Sequence, residues 1–431
     1  MSAPALQSSE AELPTEIWHH IFRLATEVEG EFDPLLWSQK HAETPLQDLF
    51  TSSLYSIYIK STCSAIETSF PTRCNVTAVS RRWRALGIMI LYSSVTLKSH
   101  ANMIAFLEQS ARRDPQSGGL ARYVKRITFG PSRFAKFEDS EWTMARILPL
   151  CKNLVILVDN GPASGPGQFP FPEFPPLVQC PNLQYIFGKN SIAPPSSPEP
   201  WKWLSSMKSL CAITLEIYES HFKYNTSCHT SSPTLRLPYL HTLQLADKGS
   251  AVALSVSTWD LPSLRNLVFT EENSNRAFCY ILKAHGHKIE KLAFTRNSRQ
   301  GNDESETDVD LSLPQLRFLS IPLHEPDELP FFTPLITSPN LEEVAFPINI
   351  WGLMPDGWDP CDHDALGEVD LGSLEGLLDI LLNKRQTPSL QTVRFFEMNW
   401  YRPRIISYWL AELEEKFRER VVRLQIGMVG E

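Results

Sequence analysis

Apolar and polar positions are arranged in two different ways along this chain, and the change comes near Tyr92. Before it, apolar residues recur at three- and four-residue steps. In Leu13–Thr26, LPTEIWHHIFRLAT, the residues Ile17, Ile21 and Leu24 fall at i, i+4 and i+7, and Trp18 and Phe22 widen the same face. Pro14 suits the first helical position, whose N–H has no intrahelical partner, and Glu16 complements the positive helix end. A helix this short is marginal alone in water, so its stripe needs a surface to lie against. Thr72–Tyr92 reads as a second helix, with Val76, Val79, Trp83, Leu86 and Ile90 on one face. Arg81, Arg82 and Arg84 fall largely off that face and read as a solvated side. Between the two helices, FDPLLW (Phe32–Trp37) and LYSIYI (Leu54–Ile59) are apolar enough to predict an ordered excursion.

After Tyr92 a different unit repeats: an apolar anchor, two other residues, then two apolar residues separated by one. It occurs at Val124-Ile127-Phe129, Leu210-Ile213-Leu215, Leu240-Leu243-Leu245, Leu264-Leu267-Phe269, Ile289-Leu292-Phe294, Leu316-Leu319-Ile321, Leu341-Val344-Phe346, Leu390-Val393-Phe395 and Val421-Leu424-Ile426. Leu154-Leu157 and Leu183-Ile186 are weaker copies. Successive anchors lie 24 to 31 residues apart, except for the 49 between Leu341 and Leu390, where Trp351–Asp370 reads as an insertion. That spacing resembles leucine-rich repeats, though degenerate and without the Asn of the consensus turn. Positions two apart share one side of a strand, and no single repeat closes a core, so neighbours must stack into a parallel sheet. The fold class is therefore α/β: a solenoid with a curved parallel sheet and helices on its outer face. Met103–Arg113, Ala277–Gly286, Ser373–Arg385 and Ile406–Val421 read as returning helices. Gly161–Pro176 and Ala193–Pro200 read as Pro-rich loops, and Arg299–Asp310 as an acidic mobile segment.

The N-terminal helix resembles the first helix of an F-box. VTAVSRRWRALGIMILYSSVTL (Val76–Leu97) is similar to the closing half of the same module, in the right order and nearly unbroken. The stretch between, about residues 27–71, is longer than in a minimal F-box and resembles an insertion common in F-box families of mushroom-forming fungi. The resemblance implies a helical module over 11–97, a disordered tail over 1–10, and a receptor domain over 98–431. It further implies docking on a Skp-type adaptor, and through it on a cullin ubiquitin ligase, by Leu13, Pro14, Ile17, Ile21, Phe22, Val79 and Trp83. The solenoid would then hold a protein substrate. The alternative is a free-standing repeat scaffold whose helical region merely caps the solenoid end.

Composition narrows the rest. The chain has 431 residues, 42% hydrophobic and 21% charged, with net charge −9, which is ordinary for a globular protein and unlike a nucleic-acid binder. Eight cysteines without C-x-x-C pairs, no signal peptide before Leu13 and no membrane-length apolar run predict reduced thiols in cytosol or nucleus. Asp359-Pro-Cys361-Asp-His363-Asp364 holds metal-type ligands but no recognised spacing, and reads as an acidic loop. His285 and His287 read as caps at a helix end. The glycines of Gly161–Gly167 lack the Lys-Ser/Thr of a phosphate loop. Cys63, Cys151 and Cys279 read as small core residues. No G-x-S-x-G or spaced Ser/His/Asp set offers a nucleophile, so neither catalysis, metal nor cofactor is expected.

For a partner on the repeats, the positions between and beside the strand's inward residues matter most: Arg126, Tyr185, Lys189, Glu216, Gln244, Lys291, Phe318, Arg394, Phe396 and Arg423. Tyr185 with Lys189, and Arg394 and Arg423 with Phe396, form the candidate substrate patches. Aromatic and Arg side chains carry most interface energy, and Arg suits an acidic or phosphorylated motif.

Overall fold

The computed structural model describes residues 13–28, 31–34, 54–112, 119–130, 146–159, 180–188, 202–217, 235–247, 250–269, 275–294, 313–321, 329–348, 372–397 and 413–428. The expected 1–10 tail, the Gly161–Pro176, Ala193–Pro200 and Arg299–Asp310 segments, the Trp351–Asp370 insertion with its Asp359–Asp364 cluster, and Lys189 lie outside them. Among the described residues, twelve strands form one parallel sheet in strict sequence order. They are β1 (Ser94–Leu97), β2 (Arg126–Phe129), β3 (Ile156–Asp159), β4 (Tyr185–Gly188), β5 (Ala212–Ile217) and β6 (Thr242–Asp247), followed by β7 (Asn266–Phe269), β8 (Lys291–Phe294), β9 (Phe318–Ser320), β10 (Glu343–Ile348), β11 (Thr392–Glu397) and β12 (Arg423–Met428). Each pairs only with its neighbours in sequence, the signature of a solenoid-like α/β fold.

The repeat unit explains this order. Anchors from Val124 to Leu390 are all buried, as are Ile127, Leu157, Ile186, Ile213, Leu243, Leu267, Leu292, Leu319, Val344 and Val393 at the next apolar position. They share one core with the helices His100–Arg112, Asn275–His285 and Gly372–Leu382, through Met103, Phe106, Phe278, Ile281, Leu377 and Leu381. The last anchor is the exception. Val421 is 89% exposed with φ +64°, and Val422 is buried in its place. The helix over 413–419 ends there with the Val422 N–H on the Phe417 carbonyl and the Val421 N–H on that of Arg418, so a left-handed residue terminates it and shifts the anchor by one.

Before six of the anchors (Leu183, Leu240, Leu264, Leu316, Leu341 and Leu390) a tight turn places a Pro where its fixed φ fits and no N–H is needed, as in Cys180-Pro181-Asn182-Leu183, closed by the Leu183 N–H on the Cys180 carbonyl at 3.1 Å. The residue just ahead of the anchor then reaches back one repeat. Asn153 donates to the Arg122 carbonyl at 2.7 Å, Ser263 to Pro238 at 2.6 Å, Asn340 to Pro314 at 2.6 Å and Ser389 to Pro339 at 2.7 Å. The degenerate array thus has its own polar ladder.

The N-terminal region contains helices α1 (Thr15–Thr26), α2 (Leu54–Ala78) and α3 (Arg81–Leu91). Pro14 is the cap rather than the first helical residue; its carbonyl accepts the N–H groups of Ile17 and Trp18. The expected single helix over 72–92 is two, because Ser80 turns extended and its Oγ accepts the Trp83 N–H at 3.1 Å, starting a new helix. Of the expected excursion, Leu54–Ile59 opens α2, which runs past Pro71 without interruption, while Leu35–Trp37 lies outside the described residues. Buried Gly87 on α3 lies where a Cβ would meet Thr77 Cγ2 at 3.0 Å, so α2 and α3 approach closely. The segment SSVTL leaves this region as β1, the first strand of the sheet, with Ser94 opposite Arg126.

Candidate protein-docking face

Helix α1 is two-sided, and the sides are the reverse of what a helix serving its own core would show. Phe22 is 1% exposed and packs against Trp83 of α3 in a tilted arrangement at 4.8 Å between ring centroids; Trp18 lies 5.0 Å from Trp83 and 5.6 Å from Phe22. This aromatic triad, with Thr26, is the face α1 gives to the module. The stripe at i, i+4 and i+7 points away: Ile17 is 45% exposed and Ile21 40%, and Leu13, Pro14 and Leu24 are exposed too. At the α2–α3 junction Val79 is 62% exposed. Of the seven residues expected to dock, Leu13, Pro14, Ile17, Ile21 and Val79 are therefore on the surface. Trp83 is half-buried, and Phe22 belongs to the interior, where it holds α1 in place. Neighbouring exposed aliphatic side chains on one helix are an unusual surface for a chain on its own.

The sheet side opposite the repeat helices contrasts with expectation. Tyr185 faces that way but is 4% exposed, within a second apolar layer made by Ile156, Val158, Phe187, Ala212, Val268, Ala293, Phe318 and Ala345. Arg126 and Gln244 are buried there as well. Apart from polar residues such as Arg126 and Gln244, this face is apolar like the other, the pattern of a parallel sheet buried on both sides. Arg394 is committed rather than available: its Nε lies 2.8 Å from Glu343 Oε1 and its Nη2 3.2 Å from Oε2. Burial raises the Glu343 pKa, opposed by the Arg394 charge. Arg423 is exposed on β12, diagonal to Arg394 in the register, and Lys291 is exposed on β8. Phe396 is paired in β11 with Gly427, while its side chain and that of Glu216 lie outside the described ones. The structure thus brings Arg394 beside Arg423 but gives one of the two to Glu343.

Among the described residues no His, Cys, Asp or Glu cluster could hold a metal ion, and no helix is long and apolar enough to cross a membrane. His285 ends its helix but ties repeats together, its Nε2 3.1 Å from the Val256 carbonyl oxygen. Cys151 is fully buried, and burial drives its thiol pKa far up; Cys180 is pushed up to about 12 by the same cause. Such thiols are inert packing groups. Cys279 is half-buried against the core, and Cys63 packs on the second layer instead. No family model and no curated protein matches the chain.

Proposed function

We propose that the chain is the substrate-recognition subunit of a Skp–cullin–F-box ubiquitin ligase, docking on a Skp-type adaptor through α1 and the α2–α3 junction. The repeats would hold a protein substrate for modification by other subunits. The observation that carries the reading is the outward stripe of Leu13, Ile17 and Ile21 on a helix whose buried side is already filled by Phe22, together with exposed Val79 at the α2–α3 junction. A face of this kind gains by association: completing the burial of a half-exposed Ile contributes roughly 1 kcal/mol, and several act together against the entropy of association. Phe22 and Trp83 serve the module's own packing in this reading, and Leu24 joins the docking residues.

The purified chain titrated with a Skp-type adaptor is expected to form a one-to-one complex. Ile17→Asp with Ile21→Asp would bury charges against an apolar partner and abolish it, while the unfolding midpoint stays put. Wild-type affinity in the double variant refutes the docking face. The free-standing scaffold has one observation in its favour, the continuity of the helical region with β1. Under that reading no adaptor binds either protein.

A further inference from the structure

Among the described residues, the stretch between the two F-box-like halves makes a heavily bonded contact between the helical region and the sheet. Arg126, on β2, has no exposed surface and is among the largest fully buried side chains. Its Nη1 donates to the Glu31 carbonyl oxygen at 3.2 Å, its Nη2 to Thr62 Oγ1 at 3.0 Å, and its Nε approaches Thr128 Oγ1 at 3.4 Å. The Glu31 carboxylate, meanwhile, takes both ends of the Arg73 guanidinium at 2.9 and 2.7 Å, and Arg73 Nη2 also donates to the Thr26 carbonyl that ends α1. A buried chain of bonds therefore runs from α1 through α2 to β2.

Around it, Lys125 sits over the Phe32 ring at 5.6 Å and Lys98 pairs with Glu67 at 2.7 Å. Cys63 of α2 packs against the apolar layer formed by Ile156, Val158 and Tyr185. We infer that residues 31–34 and α2 fix the docking face of α1 to the sheet as one rigid body, by occupying the side of β2–β4 opposite the repeat helices through Arg126. That part of the sheet is thereby withheld from outside partners.

A displaceable cover would fit the same position, but not these bonds. Its withdrawal would return Ile156, Val158 and Tyr185 to water and break every bond from Arg126 to the segment. Arg73 and Glu31 form a bidentate pair at 2–4% exposure, and breaking such a pair leaves a buried charge uncompensated. The orientation claim rests on the adaptor reading for its purpose, since a fixed angle matters only if a partner sits on α1.

The test is Arg126→Met in the full chain, which keeps an apolar stem and removes the donors. Amide exchange over 61–78 is expected to accelerate at least tenfold, and Cys211, half-buried against the same layer, to react at least tenfold faster with a thiol reagent. Adaptor affinity stays within twofold, because Ile17 and Ile21 are untouched. Scattering from the variant's adaptor complex fits several orientations where the parent's fits one. Unchanged exchange and thiol reactivity overturn the inference. If Arg126→Met does not fold, Thr62→Val, which deletes one acceptor at constant size, is expected to raise the same exchange about threefold, and no rise overturns it equally. Should the parent bind no adaptor, the functional reading fails, while exchange and thiol reactivity of the free chain still decide the attachment.

Discussion

His285 offers a quantitative check on the packing of the repeats. Its ring is 3% exposed, its Nε2 faces the Val256 carbonyl, and its Nδ1 is buried without a hydrogen-bond partner. Protonating that nitrogen inside the core is unfavourable. Burial pulls the pKa from 6.5 down to about 4; the Val256 carbonyl and Asp260 oppose the shift, and Lys288 and His287 add to it. The folded pKa lies below the unfolded one, so between the two values the unfolded chain binds more protons. The contribution is fully present above pH 6.5 and is lost as pH falls towards 4. At about 1.4 kcal/mol per pKa unit, the loss between pH 7.5 and 4.5 is roughly 2.5 kcal/mol. Denaturant unfolding of wild type and His285→Gln at both pH values isolates it, since Gln keeps a donor for Val256 and does not titrate. Wild type is expected to lose about 2.5 kcal/mol more than the variant. Parallel losses would refute the claim that His285 is neutral and buried.

Three further outcomes follow from single positions. Gly119 has φ +50°, and a Cβ there would fall on the Ser110 carbonyl oxygen, so Gly119→Ala should lower stability by about 2 kcal/mol or more, read from the urea midpoint. Val421 carries the opposite error, a β-branched residue in the left-handed region with almost no burial to lose; Val421→Gly should raise stability by about 1 kcal/mol in the same assay. Phe22→Ala should cost about 3–5 kcal/mol, whereas Ile17→Asp stays within about 0.5 kcal/mol, because only Phe22 is interior. Equal effects at Phe22 and Ile17 would mean that α1 is turned the other way.

The sheet was legible because a strand period of two, anchored by a buried residue three positions earlier, leaves a mark that survives degenerate repeat lengths. Val421 escaped it, since a helix ending in a left-handed residue shifts the anchor without disturbing the pattern. The polar ladder of Asn153, Ser263, Asn340 and Ser389 was visible only as Lys-Asn, Pro-Asn and Pro-Ser ahead of anchors, where turn chemistry explains the residues without a cross-repeat bond. At the docking face, the Ile17/Ile21 stripe was legible, but Phe22 was not separable from it: at 100° per residue it lies close enough to count with either face. The far side of the sheet misled for a different reason. Runs such as Ile156-Leu157-Val158 and Tyr185-Ile186-Phe187 carry no alternation, and that is the mark of strands covered on both sides. What covers Arg126 on β2 comes from sequence 64 to 95 residues away, in its bonds to Thr62 and Glu31, and local periodicity holds no record of it.

The docking claim is tested most directly by hydrogen exchange on the chain with and without a saturating Skp-type adaptor. Protection should appear over 13–24 and 79–83, where Ile17, Ile21 and Val79 are exposed in the free chain, and strands β5–β12 should exchange as before. No complex, or protection confined to the repeats with α1 unchanged, would contradict it.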